Sequence, residues 1–167
     1  LGANGLERML CVAAETDAAM VYADRYAKEN GVTVSRPVID YQDGSVRDDF
    51  DFGSLLLIKS SLIRDFVCQQ TSDYKYAGLY ELRLFLSRNG SLFHLNEYLY
   101  TEEEDDTRDS GVKQFDYVNP KNREVQLEME RVFTSHLKNI GAYLNPVSTK
   151  VDFSKEAFDT EASVIIP

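Results

Sequence analysis

The chain has 167 residues, a formal net charge of −10, 43% apolar and 28% charged residues, which suits one folded domain with its own core and excludes a disordered chain. So acidic a surface repels phosphate backbones, and no nucleic-acid partner is expected. No apolar run approaches the roughly 18 residues of a spanning helix, so no transmembrane segment is expected either.

In chain order, Asn4 with Glu7 three residues on reads as a capping box, and Leu6, Met9, Leu10 and Ala13 fall on one helical face. Residues 18–23 (AAMVYA) read as a buried strand. Asn30-Gly31 is a turn signal, which makes residues 22–38 a hairpin or an irregular ribbon. Residues 40–53 (DYQDGSVRDDFDFG) are acidic and rich in turn formers, and read as a loop. Residues 54–59 read as a strand. Ser60 or Ser61 then caps a helix to about residue 69, with Leu62, Ile63, Phe66 and Val67 on one face.

Residues 77–88 are apolar nearly all round, which predicts a mostly buried helix closed by Gly90. Residues 91–95 follow as a strand, with 98–100 as a second short one. Residues 102–106 are an unbroken acidic run: a solvated loop, or a calcium site that lacks the ligand spacing of an EF-hand. Asn119-Pro120 starts the most secure element, a helix whose stripe is Val125, Met129, Val132, Phe133, Leu137, Ile140 and Leu144. Asn145-Pro146 ends it. The tail is loop-like until EASVIIP (161–167), which reads as a strand. This divides the chain into a domain over 1–146 and a linker plus strand over 147–167. Opening on Leu1, the chain reads as a piece of a longer protein. Cys11 and Cys68 read as small buried hydrophobes, and with no signal peptide visible a cytoplasmic location is expected, with peripheral attachment to a membrane left open.

Several residues stand out as candidates for chemistry. Glu81 and Arg83 interrupt an apolar helix. A buried Glu81 is either a base with a raised pKa or a partner of Arg47 or Arg83, although residues two apart on a helix do not face each other. Arg47, Asp48, Asp49, Asp51 and Gly53 form the densest polar cluster on a loop, either a capped turn or a set of hydroxyl-binding carboxylates. Asp24, placed at a strand end, is either a turn-forming residue or a carboxylate beside a cleft, where α/β folds bind ligands. Tyr22, Tyr26, Tyr41, Tyr74, Tyr76 and Tyr80 pack in the core or offer stacking platforms for sugars. His94 reads as a strand histidine and His136 as a surface helix histidine, without the partner spacing of a zinc site.

The runs AAMVYADRY, VRDDFDFGSLLLIKSSLI and YAGLYELRLFLSRNGSLFHLNEYLY resemble, in order and spacing, the second half of a family 2 (GT-A type) glycosyltransferase over residues 5 to about 108. EASVIIP resembles the opening strand of a further such domain. The resemblance implies a partial GT-A-like α/β fold: a mixed sheet, flanking helices and a long C-terminal helix. It implies the acceptor side of an enzyme that moves a sugar from a nucleotide-sugar donor to a saccharide acceptor, as in polysaccharide biosynthesis. Glu81 would then be the candidate catalytic residue, and Asp24, Arg47, Asp48, Asp49, Asp51, Gly53, Tyr80 and Arg83 the candidate binding residues.

Departures from the family pattern are specific. Gly78 and Leu79 stand where the family has Glu-Asp, whose Asp is the general base, and residues 102–104 replace a metal-binding His. By the resemblance the chain starts after the family's nucleotide-binding strands and its Asp-x-Asp metal motif, so magnesium or manganese is expected in the parent and no cofactor or metal in this chain alone. The alternative is a non-catalytic transferase-like module for acceptor recognition or assembly. A half-domain would expose sheet edges, so a homodimer, or docking of residues 164–166 on the vacant edge, is expected.

Overall fold

The structure, a computed structural model, describes residues 1–29, 31–70, 73–103 and 123–150. Its elements are α1 (Gly5–Thr16), β1 (Met20–Glu29), β2 (Val32–Arg36), β3 (Leu56–Ile58), α2 (Ser60–Gln69), α3 (Gly78–Asn89), β4 (Leu92–Glu103) and α4 (Arg123–Asn139). The α/β class read from the sequence is what forms. The helix start at Asn119-Pro120, residues 104–106 of the acidic run and the EASVIIP strand lie outside the described residues.

β1 is the centre of a mixed sheet. β4 runs parallel to it on one side, pairing from Met20↔Leu92 to Lys28↔Glu103. The other side is shared end to end by two antiparallel strands: β2 lies along Arg25 to Glu29 and β3 along Met20 to Tyr22. Residues 18–23 are thus only the buried start of a ten-residue strand, and β1 and β2 form the hairpin that Asn30-Gly31 signals. Pro37 ends β2, because a ring nitrogen cannot donate to a ladder. The two short strands expected at 91–95 and 98–100 are one strand, β4, whose pairing with β1 resumes after register shifts on either side of Asp24.

Alternation along β1 sorts the core. Val21 and Ala23 face α1 with Met9, Val12 and Leu95. Met20 and Tyr22 face the opposite side with Phe85 and Leu86 of α3. Residues 40–53 hold no helix or strand, as expected. They are not simply a solvated loop, however: Phe52 is buried on this second face, with Phe50 and Tyr41 packed around it. α4 then covers α3, where Val132, Met129 and Phe133 meet Tyr80 and Leu84.

Helix boundaries depart from the sequence reading for local reasons. Asn4 is left-handed, with φ 64°, and its side chain makes no capping bond, so the capping box does not form. Leu6 and Leu10 are exposed, and α1 buries Gly5, Met9 and Val12 instead. Lys59, not a serine, precedes α2. Leu62 and Phe66 of α2 touch the core, while Ile63 and Val67 face out. Gly90 is extended, with φ 166°, and is no left-handed cap. Its role is close approach, since a Cβ there would lie 2.9 Å from the Ala19 Cβ.

α4 stops at Asn139, ahead of Asn145-Pro146. Gly141, with φ 71°, turns the chain while its N–H donates to Lys138 and that of Ala142 donates to Leu137, a Schellman closure. Ile140 and Leu144 are therefore exposed. Cys11 and Cys68 are exposed free thiols, contrary to the expectation of burial.

Candidate functional site

Two polar constellations lie on the α3 side of the sheet. The first is built on β1. Asp24 sits mid-strand, not at the strand end expected, and is 1% exposed. It lies opposite the gap between β2 and β3, where the departing chain needs a new partner. The Val38 N–H supplies the contact by donating to Asp24 Oδ1 at 2.8 Å. The Tyr22 hydroxyl donates to the Ile39 carbonyl at 2.8 Å. Because β4 pairs in parallel with Tyr22 opposite His94, the His94 ring stacks on Tyr22 at 5.0 Å. His94 Nε2 lies 3.0 Å from Asp24 Oδ1, and Nδ1 lies 2.7 Å from Asp40 Oδ1. Burial pushes the Tyr22 hydroxyl up to about 12. Every side chain here has a partner, and the network fastens residues 38–40 across the sheet.

The second constellation is a cavity of about 250 Å³ between α3, β3 and residues 48–52. Leu79, Tyr80, Leu82, Arg83 and Leu86 of α3 line it, spaced as one helical face, with Phe50, Phe52 and Asp48 opposite and Met129 of α4 at the side. Glu128 of α4 fixes the start of α3 by accepting from the Tyr76 and Ala77 N–H groups at 2.7 and 3.2 Å. The Tyr76 N–H, followed by those of Ala77 and Lys75, holds the Glu128 carboxyl below its ordinary range. Sequence reasoning missed Glu128, although its place within the first turns of a helix that packs on α3 is only visible once the helices are docked.

Arg83 is the unusual member. It is 8% exposed, and its Nε and Nη2 have no hydrogen-bond partner among the described residues. The guanidinium lies 4.9 Å from the Tyr80 ring centre and 5.7 Å from that of Phe52. These contacts flank its plane but leave Nε and Nη2 without an acceptor. Burial lowers its pKa. Tyr80 donates its hydroxyl to the Val46 carbonyl, and burial raises its pKa.

The remaining candidates disperse. Arg47 pairs with Asp49 on the surface, with Nε and Nη2 each 2.9 Å from a carboxylate oxygen. Asp51 turns away to Arg25 at 3.0 Å, and Arg25 Nε donates to Glu102 at 2.6 Å. Part of the acidic run thus ends β4 in an ion pair and not in a loop. Gly53 has φ 74° and abuts the Tyr100 hydroxyl, where any side chain would collide. Of the loop cluster, only Asp48 borders the cavity.

Glu81 does not line the cavity. It pairs with neither Arg47 nor Arg83, its Oε2 is buried without a partner among the described residues, and burial raises its pKa despite nearby Arg88 and Gln70. His136, expected on the surface, is buried with Nδ1 2.8 Å from Arg88 Nη1. Burial and then Arg88 lower its pKa, so the ring is an acceptor at neutral pH. Among the platform tyrosines, Tyr26 stacks on Tyr98 at 4.6 Å on the sheet, away from the cavity. Tyr41 packs on Phe50 and Phe52, Tyr74 against the α3–α4 core, and Tyr76 lines the cavity.

Among the described residues no helix is long and apolar enough to cross a membrane, and no three His, Cys, Asp or Glu side chains come together as a metal ion would require. No protein-family model matches the chain, and no curated protein matches it.

Proposed function

We propose that this chain is the acceptor side of a GT-A-like, family 2 glycosyltransferase, with α3 as one wall of the groove that receives a saccharide. The observation that carries this reading is the α3 cavity itself. The stretch whose Leu82, Leu84 and Gly90 match the family pattern is a helix, and that helix borders a ring-sized pocket with aromatic walls and few polar groups. The donor nucleotide sugar and any magnesium or manganese would be held by other parts of the parent protein, in the cytoplasm. Asp48, not Glu81, is the carboxylate available to a sugar hydroxyl in the cavity.

One observation favours the non-catalytic variant of this reading. Leu79, aligned with the family's general base, is 82% exposed at the cavity rim. An aliphatic chain there accepts no proton, so this module recognises the acceptor while chemistry occurs elsewhere. Pairing of a second copy along an open edge of the sheet belongs to the same proposal.

Titration of the intact chain by calorimetry tests the reading in two arms. Neutral and acidic methyl glycosides are expected to bind in the millimolar to micromolar range, and UDP-sugars with manganese are expected not to bind measurably. Tight UDP-sugar binding would place the donor site here and overturn the assignment; the absence of binding by any glycoside would remove the acceptor role.

A further inference from the structure

A buried guanidinium with free donors marks an incomplete site. Arg83 has lost its water without gaining acceptors for Nε and Nη2, a costly state for a cation. Those two nitrogens form one edge of the guanidinium, and their N–H bonds point the same way. This is the edge that takes two carboxylate oxygens in parallel. Tyr80 and Phe52 flank the guanidinium, with ring centres 4.9 and 5.7 Å away.

The rest of the cavity narrows the choice of anion. Its volume of about 250 Å³ exceeds the roughly 150 Å³ that admits a benzene ring, which leaves room for one six-membered ring and a substituent. Met20, Leu56, Ile58 and Leu86 supply apolar wall for the C–H face of such a ring. Asp48 accepts hydrogen bonds from hydroxyls and, by its like charge, disfavours a phosphate dianion more than a carboxylate monoanion.

We propose that the α3 cavity binds a hexuronate residue of an acidic saccharide, its carboxylate received by the Arg83 guanidinium through a small side-chain shift that opens Nε and Nη2 to the cavity, and its hydroxyls toward Asp48. The proposal rests on the acceptor reading and specifies the class of acceptor.

The test is calorimetry on the intact chain with methyl glucuronide, methyl glucoside, benzoate and inorganic phosphate. Methyl glucuronide is expected to bind at least about tenfold more tightly than methyl glucoside, as two charge-assisted hydrogen bonds imply. Arg83→Met is expected to erase that preference while circular dichroism and thermal unfolding remain native-like. Arg83→Gln carries the same expectation should the methionine variant not fold. Equal affinity for the two glycosides, or a preference that survives both substitutions, overturns the hexuronate site but leaves the acceptor reading standing. Arg83-dependent binding of benzoate with no binding of either glycoside overturns both. Phosphate binding tighter than glucuronide assigns the fork to phosphate and overturns the proposal.

Discussion

The Asp24–His94 network and the Arg83 cavity lie on the same side of one sheet, yet they differ in one respect. At Asp24 each buried polar group meets another group of this chain, and the result fastens residues 38–40 over β1. At Arg83 two donors meet nothing among the described residues, and a cavity lies beside them. A satisfied buried charge is explained by the fold alone, whereas an unsatisfied one that also borders a cavity, as Arg83 does and Glu81 does not, leaves a place for a ligand.

The sharpest way to break this contrast is to remove Asp24. Asp24→Ala strands the Val38 N–H and His94 in a buried site, and should lower unfolding free energy by about 3 kcal/mol in urea titration. Glycoside binding by the fraction that stays folded should persist. A loss of binding with little loss of stability would make Asp24 part of the ligand site. Next in size is Gly90→Ala, whose new methyl meets Ala19 on β1; crowding of that kind should cost about 1–3 kcal/mol. Arg83→Met should be nearly neutral, within about 1 kcal/mol, because no bond of Nε or Nη2 is lost and relief of the buried charge offsets the lost Tyr80 and Phe52 contacts. A large destabilisation would show that Arg83 is a structural residue like Asp24.

The smallest effect is pH dependence at the α3–α4 contact. The folded-state pKa of His136 lies below its ordinary 6.5. On acidification the unfolded chain therefore takes up this proton first, and stability is lost as pH falls through about 6.5 and below. Thermal unfolding between pH 7.5 and 5.5 should show this slope, and His136→Gln should flatten it. An unchanged slope in the variant would assign the effect to other groups.

The elements were largely legible because they rest on local pattern. Asn30-Gly31 marks the hairpin, and the apolar run of 77–88 marks α3. The errors came where a residue's role depends on a distant partner. His136 is buried because it continues the spacing of Val125, Met129 and Val132, a stripe open to reading in the sequence once histidine is not counted as a surface residue. Phe50 and Phe52 alternate with acids inside a polar segment, and that period-two signal is easily overridden by the surrounding charge. Gly90 looks like a helix cap until Ala19 is placed beside it. The Asp24–His94 contact depends on the parallel register of β1 and β4, which no local pattern encodes. In the candidate site, the sequence singled out Tyr80, Arg83 and Asp48, which the fold brings together. It also grouped Arg47, Asp49 and Asp51 with them, and these spend their charges on surface or strand partners.

The most direct measurement follows the arginine side chains by nitrogen-15 NMR while methyl glucuronide is added. The Arg83 Nε–H resonance should move with ligand concentration while that of Arg25, already bonded to Glu102, stays in place. A stationary Arg83 signal, or a shift confined to Arg25 and the Tyr26–Tyr98 face, would contradict the assignment of the α3 cavity as the binding site.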